Sequence, residues 1–181
     1  MIFYIADKIT GQFLGTVNIA NSSEYITKNT LIEHPPNTIL DYMDVFGDWI
    51  TPPPAPSSNH IFDYTTKQWI DPRTLDEIKT QKWAEIKSER DSLEFGGFEF
   101  EGNTYDSDQV SQGRIMVAAV AGVDQVWTLA DNTTAELSAS QLQQLYAALQ
   151  AHIASVHERG RIARQLIFEA ETKEQVEAVQ L

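Results

Sequence analysis

With 181 residues, 42% hydrophobic and 22% charged, the chain has room for one or two compact domains of ordinary globular composition. It contains no cysteine, which excludes disulfides, thiolate metal sites and thiol nucleophiles. Its 26 acidic and 13 basic residues leave a formal charge of -13, and such a surface repels phosphate backbones, so no nucleic-acid partner is expected.

The chain opens on MIFYIADKITG, where no basic stretch precedes a long apolar run. The expectation is a soluble protein made in a cytoplasm, without a signal peptide. Its longest apolar stretch, Met116 to Val123, is too short to span a bilayer, so no membrane partner is expected.

Ile2 to Ile5 and Gln12 to Ile19 are β-prone runs around the turn residues Asp7 to Gly11, and they predict an antiparallel hairpin with its corner at Thr10-Gly11. Pro35-Pro36 and Pro52-Pro53-Pro54 with Pro56 stay out of helices and central strands. Between them Thr38 to Ile50, with Leu40, Tyr42, Val45, Phe46, Trp49 and Ile50, fits either a strand or a short helix. The stretch TPPPAPSSN reads as a linker that prolines extend and Ser57-Ser58-Asn59 loosen. These signals divide the chain into a β-rich N-terminal module over 1–51, a proline-rich linker over 52–60 and a C-terminal domain over 61–181.

Ile61, Phe62, Tyr64, Trp69 and Ile70 flank Thr65-Thr66-Lys67 and predict a second small hairpin. From Leu75 to Phe95 apolar residues at 75, 78, 83, 86 and 93 approximate one helical stripe, with Thr74 and Glu77 as a capping box and Gly96-Gly97 as the stop. Phe98 to Asp108 alternates and predicts a hairpin turning at Gly102-Asn103; Asp108 then caps a short helix from Gln109 to about Ala121. A third hairpin runs through Val126 to Leu129, Asp131-Asn132 and Ala135 to Leu137. Ser138 and Gln141 form another capping box, opening a long amphipathic helix over 139–170 with Leu142, Leu145, Leu149, Ile153, Val156, Ala163 and Ile167 on one stripe. Gly160 within it marks a bend, a close helix contact or nothing structural, and Thr172 caps a last short helix. The expected class is α+β: a small β-rich N-terminal module, the linker, and helices packed with short β-hairpins.

Residues that carry chemistry are sparse. His152 and His157 lie five apart, about 140° around a helix, whereas a helical metal pair needs a spacing of four; they read as surface histidines. Asp106-Ser107-Asp108 begins like a calcium loop, but Ser111 stands where the loop needs glycine and Val117 where it needs glutamate. There is no phosphate-binding glycine loop and no nucleophile elbow. No catalytic residue, metal site or cofactor is therefore expected. Trp83 and Trp127 read as core, whereas Trp49 and Trp69, with Tyr64 and Phe62, are the candidate partner-binding set because they flank the linker.

An ordered string of residues carries a resemblance. Lys87, Arg90, Asp91, Gly97, Phe98, Gly102, Tyr105 (a Phe/Tyr position), Asp106, Asp108, Trp127, Thr128, Asp131, Asn132 and His157 resemble the pattern of a domain of uncharacterised function common in phages and prophages, over roughly residues 69 to 178. The opening Asp7 to Gly15, together with Phe62-Asp63 to Trp69, is similar to the openings of tail-fibre and tail-fibre-assembly proteins. The resemblance implies a phage tail fibre protein as partner, and a role as a chaperone that folds or trimerises the fibre in the bacterial host cytoplasm. Its alternative is a structural component of the virion tail fibre. It implies no catalytic residue, and it leaves open a homo-oligomer or a stoichiometry matched to a trimeric fibre.

Overall fold

In the computed structural model the described residues are 2–18, 29–32 and 34–181. They form a mixed α+β fold that divides into two compact units, Met1–Arg73 and Thr74–Leu181. No helix among the described residues is long and apolar enough to cross a membrane.

The first unit is built of short strands. The predicted hairpin is present as β1 (Ile2–Asp7) and β2 (Phe13–Asn18), antiparallel, with a bulge between Ile5 and Ala6. Ile19, its expected last residue, lies outside the described residues. A third strand, β3 (Asn29–Ile32), pairs with the other edge of β1, giving the order β2-β1-β3. Gly11 takes a φ of 67° at the corner, and a side chain there would collide with the Met43 carbonyl. The ambiguous stretch between the prolines is a two-residue hairpin of β4 (Tyr42–Met43) and β5 (Trp49–Ile50). The second predicted hairpin is β6 (Ile61–Asp63) and β7 (Gln68–Ile70).

The proline stretch does not separate two domains, because the division falls at Arg73 and Thr74. Pro52 is buried, and the Pro53 carbonyl accepts a 2.8 Å hydrogen bond from the Trp69 indole. A run of prolines lacks amide donors but keeps its carbonyls, so it can lie against a hairpin that offers side-chain donors. The 61–70 hairpin thus belongs to the first unit, where its aromatic rings find their core. Phe62 is enclosed by Tyr42 at 5.5 Å, Tyr64 at 5.1 Å and Trp69 at 5.4 Å between ring centroids. Phe13 meets Trp49 edge-on at 5.8 Å.

Aspartate side chains close the turns of this unit. Asp7 Oδ1 accepts from the Ile9 and Thr10 amides at 2.9 and 2.7 Å, and Asp63 from the Thr65 amide at 2.8 Å. Asp41 is fully buried, with Oδ2 taking the Asn37 amide at 2.6 Å and Oδ1 the Thr38 hydroxyl at 2.7 Å. Burial alone would raise its pKa. Hydrogen bonds from the Thr38 and Thr51 hydroxyls and the Asn37 and Thr38 amides outweigh that and hold it below the ordinary 3.8.

The second unit is organised by four helices: α1 (Leu75–Phe95), α2 (Gln109–Ala121), α3 (Ala139–Glu169) and α4 (Lys173–Glu177). Thr74, Ser138 and Thr172 each form a full capping box, as their spacing to Glu77, Gln141 and Gln175 allows. The stripe on α3 buries Leu142, Leu145, Leu149, Val156, Ala163 and Ile167. Its first half shares a core with Phe98, Tyr105, Ile115, Leu129 and Leu137; its second half shares one with Ile78, Ile86, Val176 and Val179. α1 runs antiparallel to α3, since Leu93 meets His152 and Lys79 meets Phe168. Gly160 is the close helix contact: the Arg90 stem lies 3.3 Å from where its Cβ would be.

Two hairpins complete this unit. β8 (Phe98–Phe100) and β9 (Asn103–Tyr105) turn at Glu101-Gly102, both with positive φ (46° and 78°), one residue earlier than predicted. Asn103 pairs with Phe100, which keeps Phe98 and Tyr105 opposite each other in the core. β10 (Gln125–Thr128) and β11 (Thr134–Leu137) turn through Asn132 at φ 66°.

Two outcomes follow. The native state holds Asp41 ionised to a lower pH than the unfolded chain does, so its stabilisation is complete above 3.8 and is lost as pH falls through the lowered folded-state value. Asp41→Ala, which strips partners from buried donors, is expected to cost about 1–3 kcal/mol near neutral pH. That difference from the wild type should narrow below pH 3.8 in urea titrations followed by tryptophan fluorescence. Tyr105 is fully buried, and its hydroxyl approaches the Asn103 side chain without meeting hydrogen-bond geometry. Tyr105→Phe is therefore expected to leave stability unchanged or raise it by up to about 1 kcal/mol, measured in the same titrations.

Candidate functional site

The α2 sequence, QVSQGRIMVAAVA, holds one charged residue, Arg114, and is apolar at every position from Ile115 to Ala121. A helix of that kind is normally covered on every side. Here Ile115, Ala118 and Ala119 are buried in the core, while the opposite side is open: Val110 is 60% exposed, Val117 63% and Val120 82%. Val123 and Val126, at 56% and 68%, are also exposed along the chain into β10, and Val126 lines one cleft with Val110 and Val117. Contiguous exposed apolar surface is uncommon on a free-standing domain and marks a contact site.

The helix is placed by its cap. Asp108 Oδ1 accepts from the Val110 and Ser111 amides at 2.9 and 3.3 Å, and Ser111 Oγ donates to Oδ2 at 2.5 Å. The Ser111 side chain, then the two amides, keep the Asp108 carboxyl below its ordinary pKa, so the group is spent on the cap. Ser107, fully buried, accepts from the Gly97 amide at 2.9 Å and donates to the Glu94 carbonyl at 2.6 Å, which pins the start of α2 to the end of α1. On the other side, the Ala130 amide donates to the Thr104 carbonyl at 3.1 Å and ties the β10–β11 turn to β9. Asp131, held ionised first by the Thr133 hydroxyl and then by its amide, closes that turn.

Between α2 and β10 lies a cleft of about 890 Å³, with Asp106, Gly113 and Val117 on one wall and Gln125 to Leu129 on the other. Gly113 has open space where a side chain would stand. Of the residues that carry the resemblance, Arg90, Gly97, Gly102, Tyr105, Asp108 and Asp131 have packing, turn or capping work to do. Asp106, Trp127, Thr128 and Asn132 line the cleft.

Three of the four aromatic residues predicted to bind a partner, Phe62, Tyr64 and Trp69, are brought together, but inside the first unit, where Trp49 packs against Phe13. Phe62 is only 8% exposed and acts as the centre of the aromatic cluster, so it offers no contact surface. Trp49, Trp69 and Tyr64 are half-buried, and their polar atoms are engaged by the carbonyls of His34, Pro53 and Leu40. The pair of helical histidines also has work within the fold. His157 Nε2 lies 3.0 Å from the Glu94 carboxylate, and His152 Nε2 lies 3.0 Å from the Leu93 carbonyl, with its ring stacked on Phe98. They fasten the end of α1 to α3. Among the described residues no group of three His, Asp or Glu side chains converges as a metal would require. The exposed valine face of α2 was missed by sequence reasoning, although a nearly uncharged helix of thirteen residues was its signal.

The two faces of α2 are expected to differ sharply on substitution. The double variant Val117→Ser, Val120→Ser should shift stability by no more than about 0.5 kcal/mol per site. Ile115→Ala, on the buried face, should cost about 2–5 kcal/mol. Urea midpoints of the two proteins decide it, and a large loss from the valine variant would mean that the face is covered.

No curated protein and no solved structure matches the chain. One family does: the profile of a domain of unknown function, DUF4376, matches residues 77–180, more than half of the sequence. That match starts three residues into the second unit and takes in both of its core clusters, its hairpins and the cleft. The chain belongs to the DUF4376 family.

Proposed function

We propose that the protein is an assembly chaperone for a bacteriophage tail fibre, acting in the bacterial host cytoplasm by binding the fibre protein and promoting its folding or trimerisation. The observation that carries this reading is the apolar surface of Val110, Val117, Val120, Val123 and Val126, left open on a chain whose formal charge is otherwise -13. A helper that holds folding intermediates needs a modest apolar contact area on a strongly charged, well-solvated body. Trimeric fibres are long, rich in non-local β-pairing and exposed at their strand edges while they fold, which makes such a helper useful. The resemblance of residues 69 to 178 to a phage and prophage domain supports the same reading. The protein works by surface complementarity, without making or breaking bonds.

Co-expression with a phage tail fibre gene is the test. Soluble, trimeric fibre should rise several-fold with the protein present, and Val117→Asp should remove much of the gain; equal yields with and without the protein would end the reading.

One observation favours a second role, as a structural component of the virion tail fibre. In the first unit Ile9, Val45 and Phe46, at turn tips, are 90%, 93% and 87% exposed. Such tips suit contact with another surface. Mass spectrometry of purified particles separates the two roles, since a chaperone that leaves is absent from mature virions.

A further inference from the structure

All four residues of β10, Gln125 to Thr128, and Leu129 after them line the cleft beside α2, and no residue of β11 does. Successive side chains of a strand point to opposite faces, so an unbroken lining means that the strand meets the cleft with its edge. The hydrogen-bond pattern says which groups stand on that edge. The Leu129 amide donates to the Thr133 carbonyl, so Leu129 and Thr133 are a bonded pair, and the register Trp127 to Ala135 and Gln125 to Leu137 continues it at alternate positions. Val126 and Thr128 fall between those pairs, and their amide and carbonyl groups point away from β11, towards the cleft. Neither residue has a hydrogen bond to any other described part of the chain through these groups. β9 reaches this edge only at its end, where Thr104 receives the Ala130 amide, and then turns off through Asp106 into α2.

We propose that this cleft takes an extended segment of a partner protein, which adds as a strand to the free edge of β10 and lays its apolar side chains against Val117 and the open space beside Gly113. Main-chain hydrogen bonds to Val126 and Thr128 supply affinity, and the apolar wall selects a segment with alternate aliphatic residues. Charge fixes the occupant further. The cleft wall holds one acid, Asp106, and one base, Arg114, and Asp131 adjoins the lining residue Asn132 in the turn, on a chain of formal charge -13. The fitting segment therefore bears lysine or arginine on its outward positions. A second copy of β10 is the poorer occupant, because it would bring the same carboxylates together on molecules that each carry a formal charge of -13. The inference rests on the chaperone reading only for who supplies the strand: a folding fibre has such edges in plenty.

The test uses the full chain and a fluorescein-labelled nonapeptide, KVTVKVTVK, followed by anisotropy. Saturable binding is expected, with a loss of about tenfold or more when the interior amides of the peptide are N-methylated, since two or more hydrogen bonds go. Replacing the lysines by glutamate should weaken it further. Val126→Pro deletes one outward amide without touching the ladder to β11, and should weaken binding similarly. Gly113→Leu fills the cleft from a position with open space around it and improves helix propensity by up to about 1 kcal/mol, so it should fold and fail to bind. Undiminished binding of the N-methylated peptide, undiminished binding by Gly113→Leu, or no saturable binding at all overturns the proposal. Self-association that Gly113→Leu abolishes would assign the cleft to a second copy and overturn it too. The fibre co-expression keeps the two readings apart. If Gly113→Leu assists the fibre as well as the wild type, this inference falls and the chaperone stands. If the wild type gives no help yet binds the peptide, the reverse holds.

Discussion

Burial of one stripe along α3 is the constraint from which the second unit follows. Leu142, Leu145, Leu149 and Val156 have no exposed surface, and each such aliphatic side chain contributes about 1.5–3 kcal/mol when taken fully out of water. At 31 residues the helix is longer than any one cluster can cover, so it is served by two. Hairpins and α2 cover the first half; α1 and α4 cover the second. Gly160 sits on the buried side in the second half and gives the Arg90 stem room to lie across the helix. Between the two clusters the contacts turn polar: His157 with Glu94, His152 with the Leu93 carbonyl, and Ser107 bridging the end of α1 to the approach of α2.

The open face of α2 is a consequence of that arrangement. A helix has one side turned to its neighbour, and α2 spends Ile115 and Ala118 there. Its other valines are too far around the helix to reach α3, and the β10–β11 hairpin covers only part of what remains, because its tip is drawn towards Thr104. Helix face and strand edge are thus left side by side, one supplying apolar surface and the other unpaired main-chain groups. In the family reading this is the surface free to do work, since the other motif residues are occupied with caps, turns and packing.

The first unit solves a different problem. It has little aliphatic core, with Ile5 and Ala6 its buried aliphatic members among the described residues. Ring stacking around Phe62 supplies much of the rest, and aspartates at the turns supply the local order that long ladders supply elsewhere. Lys67 joins the two devices: its ammonium lies 4.3 Å over the Tyr42 ring and donates to the Thr10 carbonyl. Burial draws its pKa down, against the opposing pull of Asp63 and Asp7.

Local signals are legible in the sequence where the structure depends on neighbours along the chain. Capping boxes at Thr74, Ser138 and Thr172, the stripe on α3 and the alternation of Phe98 to Tyr105 are set within a few residues of chain, and each stands where the sequence puts it. The turn at Glu101-Gly102 was misplaced by one residue, because glycine before asparagine suits a turn as well as glutamate before glycine does; pairing of Phe98 with Tyr105 across the core decided between them. The prolines at 52–56 set an extended backbone by themselves, but only the hairpin carrying Trp69 turned that extension into a packed wall. The cleft is the extreme case. That the second half of α2, Ile115 to Ala121, is apolar throughout is written in its residues, whereas which of its sides is covered depends on where α3 and β10 stop, and no spacing along the chain encodes that.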